Sequence, residues 1–236
     1  EPLKETGNGR ETTGESSFHA TAYYQRGLAY TLPPLANYSR AIEDFERALA
    51  LTPEDETLYL QRGLAYARQG EPVRAIEDYT AAIHLKPAYA LAFLRRGVAY
   101  NRRQEPIRAI EDFEQAIGLA QLAEAPPGST LSSSELSEAY MERGYAYGRL
   151  KDRGMAIADF TQAIETYWAN IVAYKYRGQA YLEQADYVSA ITDFNKALNL
   201  DGQDVEALTQ RGQALAGQGE SGQRLADFGR PIELAP

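Results

Sequence analysis

The chain has 236 residues, and 33 acidic against 24 basic side chains give a net charge of −9, which opposes nonspecific binding to nucleic acid or anionic lipid. Its 44 % apolar and 24 % charged residues exclude wholesale disorder, and no run approaches the roughly 18 consecutive apolar residues that a membrane-spanning helix needs. Cysteine is absent, which removes disulfides, thiolate catalysis and Cys-based metal centres together.

Residues 1–19 read as a disordered tail, since Glu1 to Ser17 hold three Gly and four Glu and almost nothing apolar. From residue 20 onward a unit recurs. Its marker is an Arg-Gly pair at Arg26-Gly27, Arg62-Gly63, Arg96-Gly97, Arg143-Gly144, Arg177-Gly178 and Arg211-Gly212, with the glycines 36, 34, 47, 34 and 34 residues apart. The predicted units are 20–55, 56–89, 90–123, 137–170, 171–204 and 205–236, with an inserted loop at 124–136.

Other columns keep step with the glycine. Four residues before it stand Tyr23, Tyr59, Phe93, Tyr140, Tyr174 and Leu208, and three after it Tyr30, Tyr66, Tyr100, Tyr147, Tyr181 and Leu215. Farther on come Ala41, Ala75, Ala109, Ala156 and Ala190, then Phe45, Tyr79, Phe113, Phe160, Phe194 and Phe228, then Ala48, Ala82, Ala116, Ala163 and Ala197. This is where the tyrosine excess belongs, with 17 Tyr against 7 Phe and 1 Trp. Large apolar residues fall at helical spacing within each half-unit, as in Ile76, Tyr79 and Ile83. Each unit is therefore predicted to be two antiparallel helices that meet closely at Gly and Ala. Pro53, Pro87 and Pro236 close units because Pro cannot continue a helix, and Pro72 and Pro106 suit the first turn of one. One such hairpin cannot bury its apolar face alone, so the units are expected to stack.

An aromatic, Gly, Tyr, Ala, Phe, Ala and Pro in that order, in a 34-residue unit copied six times, resembles the tetratricopeptide repeat over residues 20–236. The Arg-Gly-x-Ala-Tyr and Ala-Ile-x-Asp-Phe phrasing is similar to bacterial, notably cyanobacterial, members. The resemblance implies an all-α fold, a right-handed α-α superhelical solenoid of six helix pairs. It also implies a non-enzymatic scaffold or assembly factor that holds a partner in its concave groove.

Three departures stand out. The insertion after the third unit is a loop by composition, with Ser132 and Glu135 spaced to cap the next helix. It reads as a tolerated surface loop, or else as a flap or a hinge between two three-repeat blocks. Leu32-Pro33-Pro34 lengthens the turn of the first unit. In the sixth, Arg224 and Pro231 replace both alanines, so its second helix is expected to be short and loosely packed. A chain that does not begin with Met and stops at a repeat boundary is expected to be processed or truncated, or to self-associate at its end. The sequence assigns no compartment, cytoplasmic and periplasmic or luminal placement fitting alike.

No catalytic constellation, cofactor motif or metal-ligand set is present, the two His being His19 in the tail and His84 near a helix end. One charged pattern is regular: Arg26/Asp44, Arg62/Asp78, Arg96/Asp112, Arg143/Asp159, Arg177/Asp193 and Arg211/Asp227. Their separations of 18 and then 16 throughout point to a structural ladder of planar Arg–carboxylate forks.

The resemblance places ligand contacts on the first helix of each unit, between the packing columns. Those positions hold Tyr24, Leu60, Leu94 and Met141 three before the glycine, and Leu28, Leu64, Val98 and Tyr145 directly after it. Arg68, Arg102 and Arg149 stand five after it, with Arg95 nearby. Units five and six are polar there, with Lys175, Thr209, Gln179 and Gln213. The expected partner is an apolar or amphipathic protein segment carrying acidic residues, unless the apolar positions only pack between repeats. The Lys and Asn clamp that grips acidic chaperone tails in this family is not matched, since Tyr24, Leu28, Leu60 and Leu64 stand there. A self-associating oligomer and a regulatory domain of a larger protein are the alternatives.

Overall fold

Eleven helices account for the regular structure of the computed structural model, which describes residues 9–34, 36–122 and 130–219, with side chains from residue 17. They are α1 (Gly9–Thr31), α2 (Tyr38–Leu51), α3 (Glu56–Gln69), α4 (Pro72–Leu85), α5 (Ala90–Arg102), α6 (Pro106–Ala120), α7 (Ser133–Arg149), α8 (Arg153–Thr166), α9 (Ile171–Glu183), α10 (Tyr187–Leu200) and α11 (Val205–Gln218). Helices α1–α5 form one compact unit and α6–α11 a second. Among the helices, the division falls between the two of the third repeat.

The helix ends follow from local chemistry. Asn37, Asp55, Asp152, Asn170, Asp186 and Asp204 each accept a backbone N–H of the first turn, satisfying donors that no helical carbonyl can reach. Ser132 and Glu135 form a reciprocal capping box, and α7 therefore starts at Ser133, ahead of the expected boundary at 137. Pro72 opens α4 and Pro106 opens α6. The turn after the first helix of each later repeat needs one residue with positive φ: Gly70 at 84°, Gln104 at 62°, Lys151 at 63°, Ala185 at 58° and Gly219 at 93°.

Packing explains the sequence columns. A Cβ built on Gly63 would lie 2.7 Å from the Tyr79 ring, and one on Gly144 or Gly178 would lie 2.8 Å from Phe160 or Phe194. The glycine thus lets the second helix press an aromatic ring against the first. Both alanine columns of the second helices are buried, and so are Phe45, Tyr79, Phe113, Phe160 and Phe194.

One expectation changes. Residues 9–19 belong to α1 and are not a tail; once its packed half is helical, each further residue adds a hydrogen bond without a new nucleus. The expected second helix of the sixth repeat, with Arg224, Asp227, Phe228 and Pro231, lies outside the described residues, as does the heart of the insertion.

Candidate functional site

Four of the arginines before the glycines fork onto the buried aspartate of the second helix. Arg62 donates from Nε and Nη2 to Asp78 at 2.9 and 2.7 Å, Arg143 to Asp159 at 2.8 Å twice, and Arg177 to Asp193 at 2.8 and 2.7 Å. Arg26 makes the same fork with Asp44 at 2.7 Å, although its side chain is 52 % exposed. Each guanidinium also lies over the aromatic ring three residues before it, 5.5 Å from Tyr23 for Arg26 and 5.6 Å from Tyr140 for Arg143. The remaining Nη1 stitches repeats together: Arg96 donates to Thr80 at 3.1 Å, Arg177 to Thr161 at 3.0 Å and Arg211 to Asn195 at 2.7 Å. Arg96 lies in the first unit and Asp112 in the second, while Asp227 is outside the described residues. Burial pushes the Asp78 carboxyl up, and the Arg62 fork pulls it back.

The predicted groove residues divide by depth. Leu60 and Leu94 are 1 % and 0 % exposed, so both are core residues and not groove contacts. The reason is angular. At about 100° per residue, the position three before the glycine lies only about 60° from the glycine's own direction, which faces the second helix. Tyr24, Leu28 and Leu64 are half-buried against the core of the first unit, and Val98 and Met141 are half-buried as well. Burial lifts the Tyr79 phenol above its ordinary range, and Arg95, Arg102 and Arg68 all act on it in the opposite sense. Arg102 Nη1 reaches the Ala67 carbonyl at 3.4 Å.

A recess opens beside the first helices in each unit. That of the first unit, about 350 Å³, is lined by Thr31, Pro33, Tyr38, Gln61, Leu64, Ala65 and Arg68. That of the second, about 410 Å³, lies among α7, α8 and α9. Tyr145, Phe160, Tyr176, Ala156 and Ala180 supply its apolar surface. The Tyr176 ring is 5.5 Å from that of Tyr145 and 5.7 Å from that of Phe160. Burial raises the Tyr176 phenol, and the charge of Glu142 adds to this. Arg149, Lys151, Arg153, Gln179 and Glu183 complete the lining, with Arg153 Nε donating to Glu183 at 3.2 Å. Gly148 keeps the recess open, since a Cβ there would meet nothing within 4 Å.

Of the groove residues expected in the second unit, Tyr145 and Arg149 line this recess and Met141 does not. Tyr176, Phe160, Lys151 and Arg153 were not anticipated. A signal for Tyr176 existed: two before the glycine stand Gln25, Gln61, Arg95, Glu142 and Gln210, and only the fifth repeat has an aromatic there. Among the described residues no group of three His, Asp or Glu is placed to hold a metal, and no helix is long and apolar enough to cross a membrane.

Models of the TPR repeat match residues 37–70 and 178–219, and tetratricopeptide repeat models match 60–129 and 137–167. No curated protein matches the chain. Among solved structures, the chain is similar to the Pseudomonas aeruginosa protein PilF, with 17 % identity over 95 % of this chain and 94 % of that one and a TM-score of 0.78. PilW, described as a type IV pilus biogenesis factor, gives 17 % identity, 91 % and 93 % coverage and a TM-score of 0.77. YrrB, described as a TPR protein with an unusual peptide-binding site, gives 19 %, 83 % and 94 %, and 0.62. At such identities the likeness speaks for the fold. Together with the matched repeats and the all-helical architecture, it shows that the chain belongs to the tetratricopeptide repeat family.

Proposed function

We propose that the protein is a non-enzymatic interaction scaffold that holds a segment of a partner protein in the recess of its fourth and fifth repeats. The observation that carries this reading is the pairing of an aromatic wall with a cationic rim. Tyr145, Tyr176 and Phe160 offer a surface for an apolar side chain. Arg149, Lys151 and Arg153 outnumber Glu183 around it, so a carboxylate next to that side chain is favoured over an ammonium. The partner segment is therefore apolar or amphipathic with acidic residues. The described binding of peptides by YrrB is compatible with this use of the fold.

A library of phage-displayed peptides selected on the full chain tests the reading. Enriched peptides should pair an aromatic or aliphatic residue with a neighbouring Asp or Glu, and should lose affinity by about tenfold or more for Arg149→Glu. Selected peptides that bind this variant as well as the parent would move the site elsewhere.

A further inference from the structure

The first repeat carries residues that every later repeat buries. Five before the glycine stand Leu58, Ala92, Ala139, Ala173 and Ala207, none more than 2 % exposed. Two after it stand Ala65, Ala99, Ala146, Ala180 and Ala214, none more than 8 % exposed. The equivalent residues of α1, Ala22 and Ala29, are exposed; Phe18 on the same side of the helix is 73 % exposed, and Leu32, just past its end, 62 %. The first repeat thus carries the residues of an interior repeat, and the described residues leave them uncovered.

The later repeats show what such a face takes. It is the second helix of the preceding pair: Ile42 and Leu49 of α2 share a core with Leu58 and Ala65 of α3, and Leu198 of α10 with Ala207 of α11. Those covering helices have one pattern, an aliphatic residue, an acceptor four later and a second aliphatic seven later. Ile76, Thr80 and Ile83 show it, as do Ile157, Thr161 and Ile164, and Ile191, Asn195 and Leu198. The acceptor takes Nη1 of the next repeat's arginine. In the first repeat Asp44 engages Nε and Nη2 of Arg26, while Nη1 has no acceptor among the described residues. Arg40 and Arg47 stand beside it around a recess shared with Tyr30, Glu43 and Asp44.

We infer that the face of α1 formed by Phe18, Ala22, Arg26 and Ala29, with Leu32 just past its C-terminal end, docks an acidic amphipathic helix of a partner protein. Two aliphatic side chains seven residues apart pack over Ala22 and Ala29, where the missing bulk lets the helices approach. A carboxylate four residues after the first meets Arg26 Nη1, and the neighbouring Arg40 and Arg47 favour it over a neutral acceptor. Glu46 of α2 occupies the acceptor position between the first and second repeats, where it takes a hydrogen bond from Tyr66 Oη at 3.3 Å. This surface is independent of the recess in the second unit.

The test uses a fluorescein-labelled, hydrocarbon-stapled peptide of residues 71–87 carrying Thr80→Glu, titrated into the full chain by anisotropy. Saturable binding is expected, weakened about tenfold or more by Ala29→Glu in the chain or by Ile76→Ala with Ile83→Ala in the probe. Binding to Arg149→Glu is expected to match the parent, which separates this face from the recess. Ala29 is exposed, and an unchanged melting temperature for Ala29→Glu confirms that the fold is intact. Absence of saturable binding, or equal binding by Ala29→Glu, overturns the proposal. Concentration-dependent self-association abolished by Ala29→Glu would give the face to a second copy and overturn it as well.

Discussion

The recesses of the two units occupy the same place in the repeat and differ in nearly every side chain that lines them. Gln61, Leu64 and Arg68 in the first correspond to Tyr176, Gln179 and Glu183 in the second, and Thr31 and Tyr38 to Gly148 and Arg153. Beneath both, the same glycine seats the same aromatic ring and the same arginine forks onto a buried aspartate. The scaffold is one solution used twice. The two units differ in the positions that scaffold leaves unconstrained, and there the second unit has an aromatic wall, an open floor at Gly148 and cations contributed by α7, α8 and the turn between them.

If the scaffolds are equivalent, damage to them should cost the same in either unit. The largest effect belongs to the ladder. Asp78→Ala and Asp159→Ala should each destabilise by about 3 kcal/mol, because each strands a guanidinium that is only 20 % or 16 % exposed. Urea denaturation checks this, and a loss confined to one unit would break the equivalence. Gly63→Ala and Gly144→Ala come next, at about 1–3 kcal/mol, since the new methyl must displace a packed ring.

The tyrosines give a pH limb with a definite sign. Burial is the leading cause that raises the phenols of Tyr24, Tyr66, Tyr79, Tyr89, Tyr147 and Tyr176 above their usual 10.0. The folded chain therefore keeps protons that the unfolded chain has lost. That stability is intact below pH 10 and should fall as pH rises beyond it, which the urea midpoint between pH 8 and 11 will show. The smallest effect concerns the turns. Ala185→Gly should raise stability by about 0.5–1 kcal/mol, because φ at 58° strains any residue with a Cβ and glycine relieves it at some entropic cost. Gly70 already holds the equivalent place in the second repeat.

The sequence made the scaffold legible because packing two helices at a glycine demands the same residue types in every copy. The ladder could be read for the same reason, as two columns at constant separation. The recess was less legible. Periodicity locates a face only to within a neighbouring column, so it puts the buried Leu60 and Leu94 in the groove and does not single out Tyr176, which lines the recess. Phe160 was read correctly as a packing residue, but nothing in a sequence tells that one edge of its ring borders a cavity. Residues 9–19 misled because composition registers the lack of an apolar face, whereas a helix that is already anchored continues without one.

Gly148→Leu tests the central claim most directly. Open space surrounds the position and it is helical, so the substitution should leave stability unchanged or raise it by up to about 1 kcal/mol through helix propensity. The leucine would occupy the space meant for the partner's apolar side chain. Calorimetric titration of a selected peptide against this variant should therefore show affinity lost by about a hundredfold while the melting temperature holds or rises. Parent-like affinity in that variant would contradict the assignment of the recess as the binding site.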